Sequence, residues 1–235
     1  MKYRKTIWSI ALILFYFLFR FIIEGKTEAK NYYTIISYTS NGHGYLYLVS
    51  IATFNCFIFL MFANTFVKHF SVQLLIRLKR TVLFLKNEGI MFLCALIFNV
   101  CFLLPHLIFY IIYYGIDSMK EIHFFAILIC QFVVLILYYF MIGNIYMLVY
   151  IKTFKPYIGF LIAFSISVAL TFVNMIFNIY TPIECISVFS SYYESNNPLI
   201  LIFKNAFWVF VPIIIIISIF NLFQIKNKDV ISHEH

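Results

Sequence analysis

The stretch His123-Phe-Phe-Ala-Ile-Leu-Ile-Cys-Gln-Phe-Val-Val-Leu-Ile-Leu-Tyr-Tyr-Phe-Met-Ile-Gly-Asn-Ile-Tyr-Met-Leu-Val-Tyr150 decides the fold class. It lies in a block free of Asp, Glu, Lys and Arg that runs from Glu121 to Lys152. Its apolar residues do not alternate with polar ones, as the strands of an outer-membrane barrel would. A helix crossing the hydrocarbon core of a bilayer needs about 20 apolar residues. Backbone groups in lipid must be satisfied within the segment that carries them. The stretch therefore predicts a membrane-spanning α-helix.

Uncharged blocks also lie between Glu88 and Asp117, between Lys155 and Glu184, and between Lys204 and Lys226. From Lys30 to Lys68 there is again no charged residue, although the first third is polar. Spans over residues 6–23, 45–67, 90–114, 123–150, 157–180 and 200–224 follow. The expectation is an all-α integral membrane protein, six transmembrane helices in a single domain, 1–235. Composition agrees: the chain is 64% hydrophobic and 11% charged, with a mean hydropathy of +0.96. Soluble domains run at about 45–50% apolar and about 25% charged. Lys2, Arg4 and Lys5 precede the first span as in a secretory signal. Phe19-Arg20-Phe21-Ile22-Ile23 stands where the small residues of a cleavage site belong, which predicts an uncleaved helix.

Orientation follows from the basic residues. With the N-terminus inside, the inner segments hold Lys2, Arg4, Lys5, Lys68, Arg77, Lys79, Arg80, Lys86, Lys152, Lys155, Lys226 and Lys228, which is 12 of the 17. The outer segments carry Lys26, Lys30, Lys120 and Lys204 against Glu24, Glu28, Asp117, Glu121, Glu184 and Glu194. The positive-inside rule then predicts cytoplasmic N- and C-termini in a multi-pass plasma-membrane protein. The net charge of +8 is explained by this asymmetry and needs no nucleic-acid partner.

Signatures of catalysis and of metal binding are missing. There is no CxxC or His/Cys ligand spacing, no G-x-S-x-G, no H-E-x-x-H and no G-x-x-x-x-G-K. None of the six expected spans contains Asp or Glu. The chain is thus expected to be no enzyme and to hold no metal or cofactor of its own. Cys56, Cys94, Cys101 and Cys130 fall inside spans and Cys185 in an outer loop, and all five read as small apolar residues.

One candidate for function is the long inner loop, 68–89, where residues 70–88 contain neither Gly nor Pro and suit a helix. Gln73, Arg77 and Arg80 share one face, with Lys79 and Lys86 nearby, and Leu74, Leu75, Leu78, Val82 and Leu85 form an apolar face. Such a basic amphipathic helix can lie on anionic headgroups. Alternatively, it docks into a cytoplasmic partner whose carboxylates pair with Arg77 and Arg80.

The order of these features resembles the membrane subunit of ABC-2-type exporters. Six spans, both ends inside, a basic helix between spans two and three, a tight inner turn at 151–156 and a mixed outer segment before span six make up the resemblance. Its most sequence-like part is Arg77-Leu-Lys-Arg-Thr-Val-Leu-Phe-Leu-Lys86, similar to the coupling helix that such permeases insert into their ATPase. The resemblance implies cytoplasmic ABC ATPase partners that carry ATP and Mg, and a second permease copy or sister permease. It also implies short re-entrant outer helices over 181–199, where Pro182, Phe189, Tyr192 and Tyr193 suit interfacial segments. Small permeases of this kind are similar to antimicrobial- and toxin-peptide exporters, including the phenol-soluble-modulin exporters, and to lantibiotic self-immunity transporters. An amphipathic peptide cargo is therefore expected.

Span five carries the other candidate. Ala163, Ser167, Thr171, Asn174 and Asn178 recur at spacings of four, four, three and four, which makes one helical face. Small and hydrogen-bonding residues in a membrane helix pack it against another helix. The alternative is a face that lines a substrate path. Arg20 can snorkel outward or pair with Glu24, and His106, next to Pro105, reads as a packing histidine. The competing function is a non-transporting bacteriocin immunity or assembly protein that binds its target in the bilayer. A secondary transporter ranks third, because it needs membrane-embedded carboxylates.

Overall fold

The computed structural model describes residues 9–19, 48–67, 80–177, 181–193 and 197–227. All regular elements among the described residues are helical. They are α1 (Ser9–Phe19), α2 (Leu48–Phe66), α3 (Arg80–Glu121), α4 (Phe124–Thr153), α5 (Pro156–Phe177), a 3₁₀ turn (Pro182–Ile186), α6 (Val188–Tyr193) and α7 (Leu199–Asn227). Five of them, α2 to α5 and α7, contain stretches long and apolar enough to cross a membrane. They fall where the second to sixth spans were expected. Within the first expected span, 6–23, the described part is α1, which is shorter than a crossing requires. The termini, and with them the expected orientation, lie outside the described residues.

Helix α4 forms the axis, packing against α2, α3, α5 and α7. In its most apolar window 61% of residues are buried, against 17% in α5 and 22% in α7, so these two turn most of their surface outward. In lipid, burial of apolar side chains gives little net drive, and close packing has to hold the helices together. Aromatic rings supply much of it. Phe17 of α1 meets Phe98 and Phe102 of α3 at 5.3 and 5.0 Å, and Phe98 meets Phe59 of α2 and Tyr139 of α4 at 5.5 and 5.0 Å. This cluster joins four helices.

Two boundaries differ from the sequence expectation. Helix α3 begins at Arg80, within the stretch 70–88 expected as a separate inner helix, and runs unbroken past Gly89. A glycine inside a helix costs only about 1 kcal/mol, too little to end it. At its other end α3 reaches Glu121 but turns at Gly115 (φ 76°, ψ 158°), a conformation essentially restricted to glycine.

Short connections make α3, α4 and α5 an up-and-down series. Between α4 and α5, Phe154 adopts a left-handed conformation (φ 55°) and its N–H donates to the Tyr150 carbonyl at 2.8 Å. Thr153 Oγ1 donates to the Val149 carbonyl (2.9 Å) and accepts from the Lys155 N–H (3.3 Å). Pro156, with its preset φ, then opens α5. The end of the bundle that holds Arg80, Lys86, Lys152, Lys155 and Lys226 is basic. At the opposite end the 3₁₀ turn and α6 form a cap. Ile183, Ile186, Val188 and Phe189 are buried there, Phe189 packs on Phe124, and the Tyr193 hydroxyl donates to the Ile122 carbonyl at 2.8 Å.

Candidate functional site

Polar side chains gather at two places among the apolar helices. The first lies where α2, α4 and α5 meet. Helix α2 contains a π-helical turn, Ile51–Asn55, which leaves its backbone acceptors open to side chains from neighbouring helices. Ser167 of α5 donates to the Ala52 carbonyl at 2.5 Å and shares a second 2.5 Å bond with the Tyr138 hydroxyl of α4. Tyr139 donates to the Ile51 carbonyl at 3.2 Å. Ser167, Thr171 and Ala163 are buried in the chain, and the Thr171 hydroxyl returns to the Ser167 carbonyl at 2.9 Å. The buried stripe of α5 starts one turn earlier than the sequence suggested, at Gly159. A Cβ there would stand 3.0 Å from the Tyr146 carbonyl oxygen, so the missing side chain allows α4 and α5 to approach. Toward the cap, the Asn174 side-chain N–H donates to the Glu184 carboxylate.

The second place corrects an expectation. No acidic residue was expected within a span, yet Glu88 lies eight residues along α3 from Arg80, which is about 12 Å of helix. It falls inside the apolar stretch Thr81–Ile112. Its carboxylate is half-buried and faces α4 and α7. Ser218 donates to Oε2 at 3.4 Å and Asn221 Nδ2 to Oε1 at 3.5 Å. The same Asn221 Nδ2 lies 3.3 Å from both the backbone carbonyl and the side-chain oxygen of Asn144. Asn144 is fully buried and Asn221 is 1% exposed. Glu88 makes no ion pair with any described lysine or arginine.

Of the residues expected to couple to an ATPase, Gln73, Arg77 and Lys79 lie outside the described residues. Arg80 starts α3, and Lys86 is exposed on it near Val82 and Leu85, also exposed. Of the span-five face, Asn178 lies outside the described residues. Ser167 and Thr171 are brought together in the packed interior, while Asn174 faces the cap. The Glu88 group was missed because the charge-free block begins just after it. Asn144, Ser218 and Asn221, each polar within an apolar run, were its available signal.

A groove of about 540 Å³ opens on the outer surface between α4 and α7, lined by Ile129, Val133, Phe203, Phe207 and Trp208 with Lys204 beside them. All five cysteines are free and buried. Among the described residues no group of three or more His, Cys, Asp or Glu is arranged to hold a metal ion.

Fold and composition define the class as an α-helical protein built of membrane-spanning helices. Comparison with protein-family models, curated proteins and solved structures finds no match to this chain.

Proposed function

We propose that the chain is the transmembrane subunit of an ATP-driven exporter of the ABC-2 type, moving an amphipathic peptide across the plasma membrane. The observation that supports this reading is the continuity of α3. Val82, Leu85 and Lys86 are exposed at the basic end, and Met91, Ala95, Phe98 and Phe102 of the same helix are buried in the core. A partner that grips residues 74–86 would push on a helix that reaches the packed centre. ATP on the partner supplies the work, because a ligand shifts a two-state equilibrium only by binding one state more tightly. The exposed apolar faces of α5 and α7, including Phe172, Ile176, Trp208 and Phe223, have the character needed for lipid and for a second permease copy.

Arg77 and Arg80 provide the test. Paired with carboxylates in a partly desolvated groove, they form charge-assisted bonds, and reversal leaves repulsion in place of attraction. The Arg77→Glu/Arg80→Glu variant, purified with the candidate ATPase in neutral nanodiscs, is expected to lose at least about tenfold in ATPase binding or transport-linked hydrolysis, or about 1.4 kcal/mol. A headgroup anchor would instead lose about 1 kcal/mol per basic residue of surface attraction, and only in anionic lipid. Unchanged binding and hydrolysis in neutral lipid would rule out the coupling role. An immunity protein would bind no ATPase at all.

A further inference from the structure

We infer that Glu88, Asn144, Ser218 and Asn221 form a binding site for one monovalent alkali-metal ion between α3, α4 and α7. The argument starts from a shortage of donors. Asn221 Nδ2 has two hydrogens and faces three acceptors: Glu88 Oε1, the Asn144 carbonyl and Asn144 Oδ1, at 3.5, 3.3 and 3.3 Å. Asn144 Nδ2 is already committed to the Phe140 carbonyl at 3.1 Å. The Ser218 hydroxyl spends its one hydrogen on Glu88. Asn221 Oδ1 is buried and has no hydrogen-bond donor, and one helical turn on, Gln224 Oε1 is in the same position. Acceptors thus outnumber donors in a group that also carries a negative charge with no described cation beside it.

The distances agree. Around Ser167, where donors and acceptors match, bonds close to 2.5 Å, but every contact joining Glu88, Asn144, Ser218 and Asn221 is 3.3 to 3.5 Å. Oxygen-rich groups of this kind are what hard cations use, and a bound cation satisfies several oxygens at once. A proton on Glu88 would add a single donor. The formal charge of the group is −1, so one monovalent ion neutralises it where a divalent ion would leave an excess in the membrane interior. Asn144 and Asn221 are buried while Glu88 is half-buried beside an exposed Gly89, whose missing side chain leaves open space on that flank. The ion would enter from the basic end of the bundle. None of this depends on an ATPase partner.

The full chain in neutral-lipid nanodiscs at pH 8 provides the test. Radioactive sodium is expected to bind saturably at one ion per chain, with KCl or unlabelled NaCl as competitor and choline chloride inert. The thermal midpoint should rise with NaCl at constant ionic strength. Glu88→Gln, which keeps shape and removes charge, should weaken binding at least tenfold, as should Asn221→Leu, whereas Asp117→Asn at the opposite end should change nothing. Labelling of Glu88 by a hydrophobic carbodiimide, read by mass spectrometry, needs no variant, and sodium should slow it at least tenfold. The inference is overturned if the wild type binds neither sodium nor potassium, or if carbodiimide labelling ignores sodium. Binding that survives in Glu88→Gln also overturns it. So does a stability that follows pH through Glu88 with no response to either salt, which would make Glu88 a proton site only.

Discussion

Ser167 links three helices with one hydroxyl, donating to Ala52 and bonded to Tyr138. Removing it in Ser167→Ala leaves the Ala52 carbonyl and the Tyr138 hydroxyl without that partner in the bundle interior. The expected loss is about 1–3 kcal/mol, measured as thermal unfolding in nanodiscs. Asn174→Leu should cost less, on the order of 1 kcal/mol, because its bond to Glu184 lies next to the cap. A double-mutant cycle with Glu184→Gln should recover that coupling, and strict additivity would remove the bond from the account. At this scale the sequence was partly legible. The four-residue spacing of Ala163, Ser167 and Thr171 announced a buried stripe, since that periodicity is a property of one helix. Their partners were not legible, because the acceptor on Ala52 depends on a π turn that no periodicity marks. Glu88 was hidden for another reason: counting charges along the chain ends a span at the first carboxylate, whether or not the helix around it is buried.

Two glycines govern the elements. Gly159 lets α5 approach the Tyr146 backbone, and a Leu there would push its Cβ to 3.0 Å from a carbonyl oxygen that cannot yield. Gly159→Leu should therefore destabilise by about 1–3 kcal/mol, and crosslinking yield between cysteines placed on α4 and α5 should fall with it. Gly115 differs, since nothing crowds its Cβ position and the constraint is its backbone (φ 76°, ψ 158°). Gly115→Ala should cost about 1–3 kcal/mol, without changing the α4–α5 crosslinks. Parallel loss of those crosslinks in both variants would show general unfolding rather than two separate causes. Span positions could be read from hydrophobic blocks because lipid imposes length and composition alike. Helix ends could not, because Gly89 permits a helix to continue and Gly115 permits one to turn, and the letter is the same.

For the whole molecule, five described helices of spanning length together with α1 bear on a count that decides topology. Six crossings put both termini on one side and five put them on opposite sides. Single cysteines at positions 2 and 233 in a cysteine-free background are expected to resist an impermeant maleimide in intact cells and to react after lysis. Reaction of one but not the other in intact cells would give an odd number of crossings. The charge asymmetry that motivates this was readable from sequence because it depends only on order along the chain. The central place of α4 was not. Nothing in its composition separates it from α7, and only the packing of α2, α3, α5 and α7 around it makes it the axis.

The compact turn through Thr153, Phe154 and Pro156 has a consequence for biosynthesis. Released alone into lipid, α4 would expose Tyr138 to hydrocarbon with its hydroxyl unmet, at a cost of order kilocalories. The turn delivers Ser167 to that hydroxyl as soon as α5 leaves the ribosome, and it leaves no room for a translocated domain between the two helices. The pair is therefore suited to leave the insertion machinery as one hairpin, its polar groups matched before the rest of the bundle arrives.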